Sequence, residues 1–135
     1  MTTEATCTFQ ITGWDEKTYE EIGSGAKLTQ AKVTLSYEGA IKGTSSIDYL
    51  MSYAVDGTAS FVGLERITGA VDGKSGAFVL QHVGDFVDGV ARSAWTIVSG
   101  SGTGDLQNLR GNGNYVAGHG EPAQVSFFYD FEIGS

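Results

Sequence analysis

The chain has 135 residues and carries 16 acidic against 8 basic side chains, a formal net charge of −8 at pH 7. This charge repels phosphate backbones, and no cluster of Lys and Arg with interleaved aromatic residues offsets it, so we expect no nucleic-acid partner. No apolar run approaches the roughly 20 residues of a membrane helix, so we expect no membrane partner either.

The length fits one domain, and we expect residues 1–135 to form a single β-barrel domain. Cys7 is the only cysteine, so an internal disulfide cannot form. The polar start MTTEATC lacks the basic and apolar regions of a secretory signal. We therefore expect a soluble protein of the cytoplasm. The 20 glycines beside a single proline fit bent strands and tight turns better than disorder.

The first third of the chain predicts three strands. Residues 6–22 alternate polar and apolar side chains, with a break near Gly13-Trp14-Asp15. After Gly23-Ser24-Gly25, residues 27–38 alternate more clearly, as expected of a strand with one solvated face. A third strand is predicted at 41–55, where the inward parity is ambiguous.

Three Asp-Gly pairs follow at even spacing, at Asp56-Gly57, Asp72-Gly73 and Asp88-Gly89. Asp-Gly between segments rich in Val, Ile, Phe and Thr indicates a two-residue hairpin turn, so the region predicts an antiparallel meander. Such turns fix the pairing on both sides. Two pairs that they predict concern ionisable residues: Glu65 opposite Leu80, and His82 opposite Trp95.

One face of this meander is predicted to be buried and the other solvated. The buried set is Phe61, Glu65, Ile67, Phe78, Leu80, His82, Phe86, Trp95 and Ile97. The solvated set is Arg66, Thr68, Gln81, Asp85, Arg92 and Thr96. Because strands of this length are unusual, we expect Gly63, Gly69 and Gly84 to mark bulges or bends.

The last third contains one departure from strand patterning. Between Gly100 and Gly113, Asp105 is suited to cap a single helical turn over Leu106–Leu109. Strands are then predicted at 115–117 and 124–133, separated by a break at 120–122. The aromatic content of 124–133 suggests that both of its faces are covered, as in a central or closing strand.

Long antiparallel strands with short turns leave a sandwich or a closed barrel as the architecture, and the even spacing favours the barrel. The predicted fold class is therefore all-β, an antiparallel barrel of about eight strands with one short helical turn. The interior of such a barrel is either filled by side chains or holds one small ligand.

The chain also resembles a known family over nearly its whole length. The segments that carry the likeness are YLMSY at 49–53, FVGLER at 61–66, GAFVLQHVGDF at 76–86 and GSGTGDL at 100–106, together with Asp56-Gly57 and Trp95. They resemble a small bacterial family of unassigned function whose fold is similar to the allene oxide cyclase barrel. The resemblance implies an antiparallel barrel with a ligand-sized cavity, and in the cyclase itself that cavity is mainly apolar and the assembly trimeric. The cyclase's catalytic residues do not map onto this chain one by one, so the resemblance does not imply its activity.

Glu65 and His82 are the candidate catalytic pair. The turn-derived register places both on the buried face, where an apolar surround suits a carboxylate to proton transfer. The alternative is a structural ion pair, or a face turned outward. Asp48 would approach Glu65 if the Asp56-Gly57 loop has two residues. The candidate ligand-binding residues are Tyr49, Tyr53, Phe61, Phe78 and Trp95, which serve equally well as plain core.

No cofactor or metal site is predicted. Gly73-Lys74-Ser75 lies in a hairpin rather than between a strand and a helix, and the GxGxG at 100–104 lacks a following helix. His82 and His119 are the only histidines and share no metal-ligand spacing. Cys7 is expected to be an inert core residue.

Three functions remain open. The first is binding of a small apolar molecule in the barrel; the second is a cofactor-independent isomerase or cyclase that uses Glu65 and His82 as acid and base. The third is a filled barrel that acts through its surface. The outward parity of the meander is itself apolar, so we expect part of it to be covered by the C-terminal segment or by a second subunit, and hence a homo-oligomer. The outward apolar residues are Val62, Leu64, Val79, Val83, Ala94 and Val98.

Overall fold

A computed structural model describes residues 3–118 and 123–131, which form an all-β structure. Its eight strands are β1 (Thr3–Gly23), β2 (Ala26–Gly39), β3 (Ile41–Tyr53), β4 (Ala59–Val71), β5 (Lys74–Val87), β6 (Val90–Ile97), β7 (Leu109–Ala117) and β8 (Ala123–Phe131). Within the described residues the helical content is one 3-10 turn at Gly104–Leu106, and no helix is long and apolar enough to cross a membrane. The predicted break at 120–122, and His119, lie outside the described residues.

The eight strands form one sheet that closes on itself, which we call the ring. Each strand is antiparallel to the next, and β1 closes the ring by pairing with β8 from Thr3↔Tyr129 to Phe9↔Ala123. The expectation of about eight antiparallel strands is confirmed. Because side chains alternate along each strand, one residue in two points into the ring.

Two of the three predicted Asp-Gly turns have the expected geometry. Asp72-Gly73 joins Val71 to Lys74, and Asp88-Gly89 joins β5 to β6 in the same way. The φ angles are 50° and 82° in the first turn and 55° and 77° in the second, as a type I′ turn requires. The pairs that they predict, including Glu65↔Leu80 and His82↔Trp95, are confirmed.

The Asp56-Gly57 turn differs from the prediction. The connection runs from residue 54 to 58, because Asp56 Oδ1 accepts hydrogen bonds from Thr58 N and Oγ1, which makes a wider loop. Tyr53 therefore pairs with Ala59, and the register shifts by one. Glu65 lies opposite Ile47 instead of Asp48, which points outward and ion-pairs with Lys32 at 3.7 Å.

The expected bulges in the meander are also absent. Pairing is continuous through Gly63, Gly69 and Gly84, and the register shifts lie in the β1–β2 pair, the first of them between Ile11 and Gly13. At Gly63 and Gly84, the missing side chain instead leaves space for an aromatic ring of the neighbouring strand. A Cβ at Gly63 would lie 2.7 Å from Cδ1 of Tyr49, and a Cβ at Gly84 would lie 2.5 Å from Cζ of Phe61.

The connection between β6 and β7 closes one end of the ring. Its 3-10 turn covers Gly104–Leu106, not Leu106–Leu109, because Leu109 already begins β7. Thr103 makes two hydrogen bonds to Ala77 of β5. Its backbone N–H donates to the Ala77 carbonyl oxygen at 2.8 Å, and its Oγ1 accepts from the Ala77 N–H at 3.0 Å. Leu106 is fully buried. At the opposite end, near the Asp88-Gly89 turn, the described residues leave a cavity between the strands.

The inner and outer faces follow the predicted parity, with exceptions at the rim. Phe86 is 38% exposed, and the last strand has one solvated face, on which Phe128 is 46% exposed. The expectation that both faces of this strand are covered is therefore wrong. On the outer wall Val62 and Val83 are about half exposed, while Val79 is partly covered by the 98–103 segment.

Candidate functional site

Glu65 and His82 form a buried pair inside the ring. His82 Nε2 lies 2.7 Å from Glu65 Oε1, and both side chains are almost fully excluded from solvent. They are diagonal neighbours, since His82 stands opposite Gly63 and Glu65 opposite Leu80. Gly63 has no side chain to come between them.

The carboxylate of Glu65 accepts hydrogen bonds on both oxygens. Oε2 receives the Tyr37 hydroxyl at 2.6 Å and the Ser45 hydroxyl at 2.5 Å, while Oε1 faces the imidazole. An ionised carboxylate carries no proton of its own and suits a position surrounded by donors. The three contacts come from β2, β3 and β5, which lie within two strands of β4 in the sheet.

A second group of hydroxyls extends from His82 away from the carboxylate. His82 Nδ1 lies 2.9 Å from Ser93 Oγ, and Ser93 stands directly opposite Tyr115 in the β6–β7 pair. The Tyr115 and Tyr49 hydroxyls are 3.0 Å apart. Within the described part of the chain, every buried side-chain nitrogen and oxygen has a hydrogen-bond partner.

The buried phenols remain protonated at neutral pH. Burial raises the pKa of Tyr37 well above its ordinary value, and the charge of Glu65 raises it further. Burial also raises the pKa of Tyr49 and Tyr115. These groups are therefore neutral hydroxyls that donate and accept hydrogen bonds. Burial likewise raises the pKa of Cys7 to about 12, which keeps its thiol protonated.

A cavity of about 630 Å³ occupies the open end of the ring. Its wall is mainly apolar, and its two inward phenols are Tyr49 and Tyr115. Trp14 lies near Tyr49, with ring centroids 6.4 Å apart, at the edge where β1 extends beyond its pairing with β8. The other lining side chains include Phe9, Val33, Leu35, Met51, Phe61 and Ala91.

The structure separates the candidate site residues into two groups. Tyr49 and Phe61 line the cavity, and their rings touch edge to face at 5.0 Å. Glu65 and His82 lie beneath the cavity floor rather than in its wall, with the His82 and Tyr49 ring centroids 5.9 Å apart.

The remaining candidates lie elsewhere. Phe78 and Trp95 belong to the packed core, where Trp95 packs against Phe127 at a tilt of 39°, with ring centroids 5.9 Å apart. Tyr53 points into a different depression, and its hydroxyl donates to Glu16 at 2.7 Å. Trp95 is the direct cross-strand neighbour of His82, and Phe78 is diagonal to Glu65, so both pack beside the buried pair without lining the cavity.

Four polar residues of the site escape the sequence-based prediction: Tyr37, Ser45, Ser93 and Tyr115. Ser93 could have been found, because it shares parity with Trp95 and so lies diagonal to His82. Tyr115 could not, since its contact with Tyr49 joins β3 to β7 across the ring. In the described residues no group of three or more His, Cys, Asp or Glu side chains could hold a metal ion.

Comparison with known proteins gives a family but no activity. No curated protein matches the sequence. Among solved structures, the fold is similar to the crystal structure, at 1.84 Å resolution, of a DUF3224-family protein of unknown function from Shewanella oneidensis MR-1. The two chains are 26% identical, with a TM-score of 0.84 and coverage of 99% of this chain and 100% of that one. The family model for DUF3224, described as a protein of unknown function, matches residues 5–129, and the chain therefore belongs to the DUF3224 family.

Proposed function

We propose that the protein binds a small, mainly apolar molecule in the cavity at the open end of the ring. The observation that carries this proposal is a cavity of about 630 Å³ whose wall is mainly apolar and includes Tyr49 and Tyr115, whose hydroxyls are 3.0 Å apart. Sites for small molecules are commonly of this size, and they combine apolar walls with a few placed polar groups. The apolar wall would supply affinity, and the hydroxyl pair would orient one polar atom of the ligand.

We also propose that the fold is similar to the allene oxide cyclase barrel. It is supported by eight antiparallel strands in a closed sheet and by an apolar cavity at one end. A completely filled interior is disfavoured, because a cavity of about 630 Å³ remains between inward side chains such as Phe9, Met51 and Phe61.

A matched pair of variants on β6 tests the proposed binding. Ala91 lines the cavity, whereas Ala94 lies three residues further along on the exposed outer face. Ala91→Phe should fill part of the cavity and weaken binding of an apolar fluorescent probe at least tenfold. Ala94→Phe should leave binding unchanged. Equal binding to both variants would place the probe outside the cavity and overturn the proposal.

Acid–base chemistry without a cofactor is the second candidate, and the 2.7 Å contact between Glu65 and His82 favours it. Paired carboxylate and imidazole groups are common general acids and bases. Neither group lines the cavity, so a bound molecule would exchange protons with them through intervening hydroxyls. For an isomerase or cyclase of this kind, Glu65→Gln should abolish turnover while the same probe still binds.

A further inference from the structure

Glu16 is a partly buried carboxylate on the inner face of β1, next to the cavity. It pairs with Ala31 of β2, and Trp14, two residues earlier, pairs with Val33. Ala31 and Val33 are almost fully buried inside the ring. Because side chains alternate along a strand, Glu16 and Trp14 share this inner face. In the described residues β8 accompanies β1 only as far as Phe9, so this part of the inner face is not covered from that side.

Three neutral donors hold the Glu16 carboxylate in place. Thr29 Oγ1 and the Tyr53 hydroxyl donate to Oε2 at 2.6 and 2.7 Å. The Trp14 Nε1–H donates to Oε1 at 3.1 Å. Burial acts to raise the pKa of Glu16, but these hydrogen bonds outweigh burial and hold the pKa below its ordinary value, so the group is ionised at neutral pH. Each carboxylate oxygen can accept two hydrogen bonds, and Oε1 accepts only one here.

No cationic side chain neutralises this charge at close range. Within the described part of the chain, the ion pairs that Lys and Arg side chains form do not include Glu16. Lys27 is the cation of the neighbouring depression, where it stands opposite Glu21 in the β1–β2 pair. Its ammonium lies over the Tyr53 ring, 5.1 Å from the centroid. Lys27 is thus associated with the ring whose hydroxyl binds Oε2, whereas Oε1 faces Trp14.

Trp14 connects the carboxylate to the cavity. Its indole lines the cavity wall, while its Nε1–H binds Glu16. The side chain is 48% exposed, although it lies near Tyr49. An indole face is the best aromatic surface for an ammonium group, and an adjacent carboxylate adds an ionic attraction. The apolar wall, the indole and the carboxylate therefore follow one another along the inner face of β1.

We propose that the cavity takes up an amphiphilic cation, whose apolar body lies in the cavity and whose ammonium group lies beside the Glu16 carboxylate and the Trp14 indole. The proposal rests on the proposed binding function and specifies its ligand class. The net charge of −8 supports it, because a strongly acidic protein concentrates cations around itself. An acidic ligand would instead be repelled by Glu16.

Two naphthalene probes of the same shape test this ligand class. Each carries an ethyl chain, which ends in a trimethylammonium group in one probe and in a tert-butyl group in the other. The probes differ in charge alone, because carbon replaces nitrogen. Equilibrium dialysis measures both affinities. Glu16→Gln should weaken binding of the cation by about fivefold or more, and should leave binding of the neutral probe unchanged.

Asp15→Asn is the matched control, because it removes the same charge from the neighbouring residue. Asp15 stands opposite Lys32, which is exposed and ion-pairs with Asp48 on the outer wall. Both probes should bind this variant as they bind the wild type. If Glu16→Gln weakens both probes equally, or weakens neither, the ammonium site is overturned. An equal loss of cation binding in the two variants would attribute the effect to net charge and would overturn the site as well.

A second measurement tests the ammonium site without the cavity, and also serves if Glu16→Gln fails to fold. The chain has two tryptophans and therefore two indole N–H signals in a ¹H–¹⁵N spectrum, which Trp14→Phe assigns. Tetramethylammonium should shift the Trp14 signal, whose proton binds Glu16, and not that of Trp95 in the packed core. The neutral counterpart tert-butanol should shift neither. Equal shifts with both additives would overturn the site.

Failure of the binding function can be distinguished from failure of the ammonium site. If neither naphthalene binds the wild type, the cavity does not bind apolar molecules of this kind, and the proposed function fails. The indole signals then decide the ammonium site by themselves. A Trp14 shift that only tetramethylammonium produces would support the site, and the absence of a shift would overturn it.

Discussion

Tyr49 lies over Gly63 and reaches the neighbourhood of His82, which stands opposite Gly63 on the next strand. An added Cβ at Gly63 would lie 2.7 Å from the Tyr49 ring and 2.9 Å from the Asp48 carbonyl oxygen. The absent side chain therefore lets an aromatic ring from β3 approach an imidazole from β5 to a centroid distance of 5.9 Å. This close approach brings the cavity floor against the buried pair.

Gly63→Ala should displace the Tyr49 ring from the cavity floor. Forcing a methyl group into this contact should lower the free energy of unfolding by about 1–3 kcal/mol, as overpacking does. It should also weaken probe binding. Gly118→Ala is the control for the stability measurement alone, since a Cβ there meets no atom within 4 Å but Gly118 itself lines the cavity. Urea denaturation with unchanged midpoints for Gly63→Ala would show that the ring moves aside at no cost.

Glu65→Gln should strongly destabilise the fold. The carboxylate accepts from Tyr37, Ser45 and His82, and an amide in either orientation would turn its NH₂ group toward at least one of these donors. Leaving buried hydrogen-bonding partners unsatisfied costs about 1–3 kcal/mol each, and more for charged groups. The exposed Glu38→Gln should change stability little. Equal unfolding midpoints for the two variants in a denaturant titration would contradict the buried network.

Gly73→Val should destabilise through backbone strain alone. The φ of Gly73 is +82° and a Cβ there would meet open space, so a collision plays no part. A left-handed conformation costs an L-residue about 1–2 kcal/mol. At Gly118 the space is equally open without a positive φ of this kind, so Gly118→Val should be tolerated. Thermal unfolding of the two variants measures the difference, and matching melting temperatures would argue against the type I′ turn.

Ionisation of Glu16 should make the free energy of unfolding depend on pH in the acid range. Burial acts to raise its pKa, but hydrogen bonds from Thr29, Tyr53 and Trp14 outweigh burial and hold the pKa below its ordinary value of 4.5. Because the folded pKa lies below the unfolded one, the stabilisation is fully present above that ordinary value and is lost as the pH falls through the folded pKa.

Glu16→Gln should therefore be less stable than the wild type at neutral pH, and the difference should shrink in acid. Glu21→Gln, on an exposed part of the same strand, is the control and should show no such pH dependence. Unfolding curves collected across the acid range provide the measurement. If wild type and Glu16→Gln differed by the same free energy of unfolding at every pH, the ionised carboxylate could not be the cause of that difference.

Cys7 should be chemically inert in the folded protein. Burial raises the pKa of its thiol to about 12, and the reactive thiolate is then scarce near neutrality. Iodoacetamide at about pH 8 should label the protein only after denaturation. Mass spectrometry counts the adducts, and rapid labelling of the native protein would show that this part of β1 opens readily.

The local sequence determined the strands and most of their pairing. At Asp72-Gly73 and Asp88-Gly89 two residues with positive φ set the register, and this alone predicts that Glu65 and His82 share the inner face. At Asp56-Gly57 the same dipeptide predicted the wrong register, because the Asp56 side chain hydrogen-bonds to Thr58 and the loop is wider than two residues. Asp48 therefore lies on the outer wall, and not opposite Glu65 as a two-residue loop would have placed it.

Only the tertiary structure decided which polar groups meet inside the ring. Turn chemistry acts between strands that are neighbours in the chain, so it could pair β4 with β5 but could not bring β7 to β3. Closure of β1 on β8 sets the curvature that places the Tyr115 hydroxyl 3.0 Å from that of Tyr49. The cavity has the same origin, because its walls come from strands distant in sequence, and its volume depends on how far the closed sheet holds them apart.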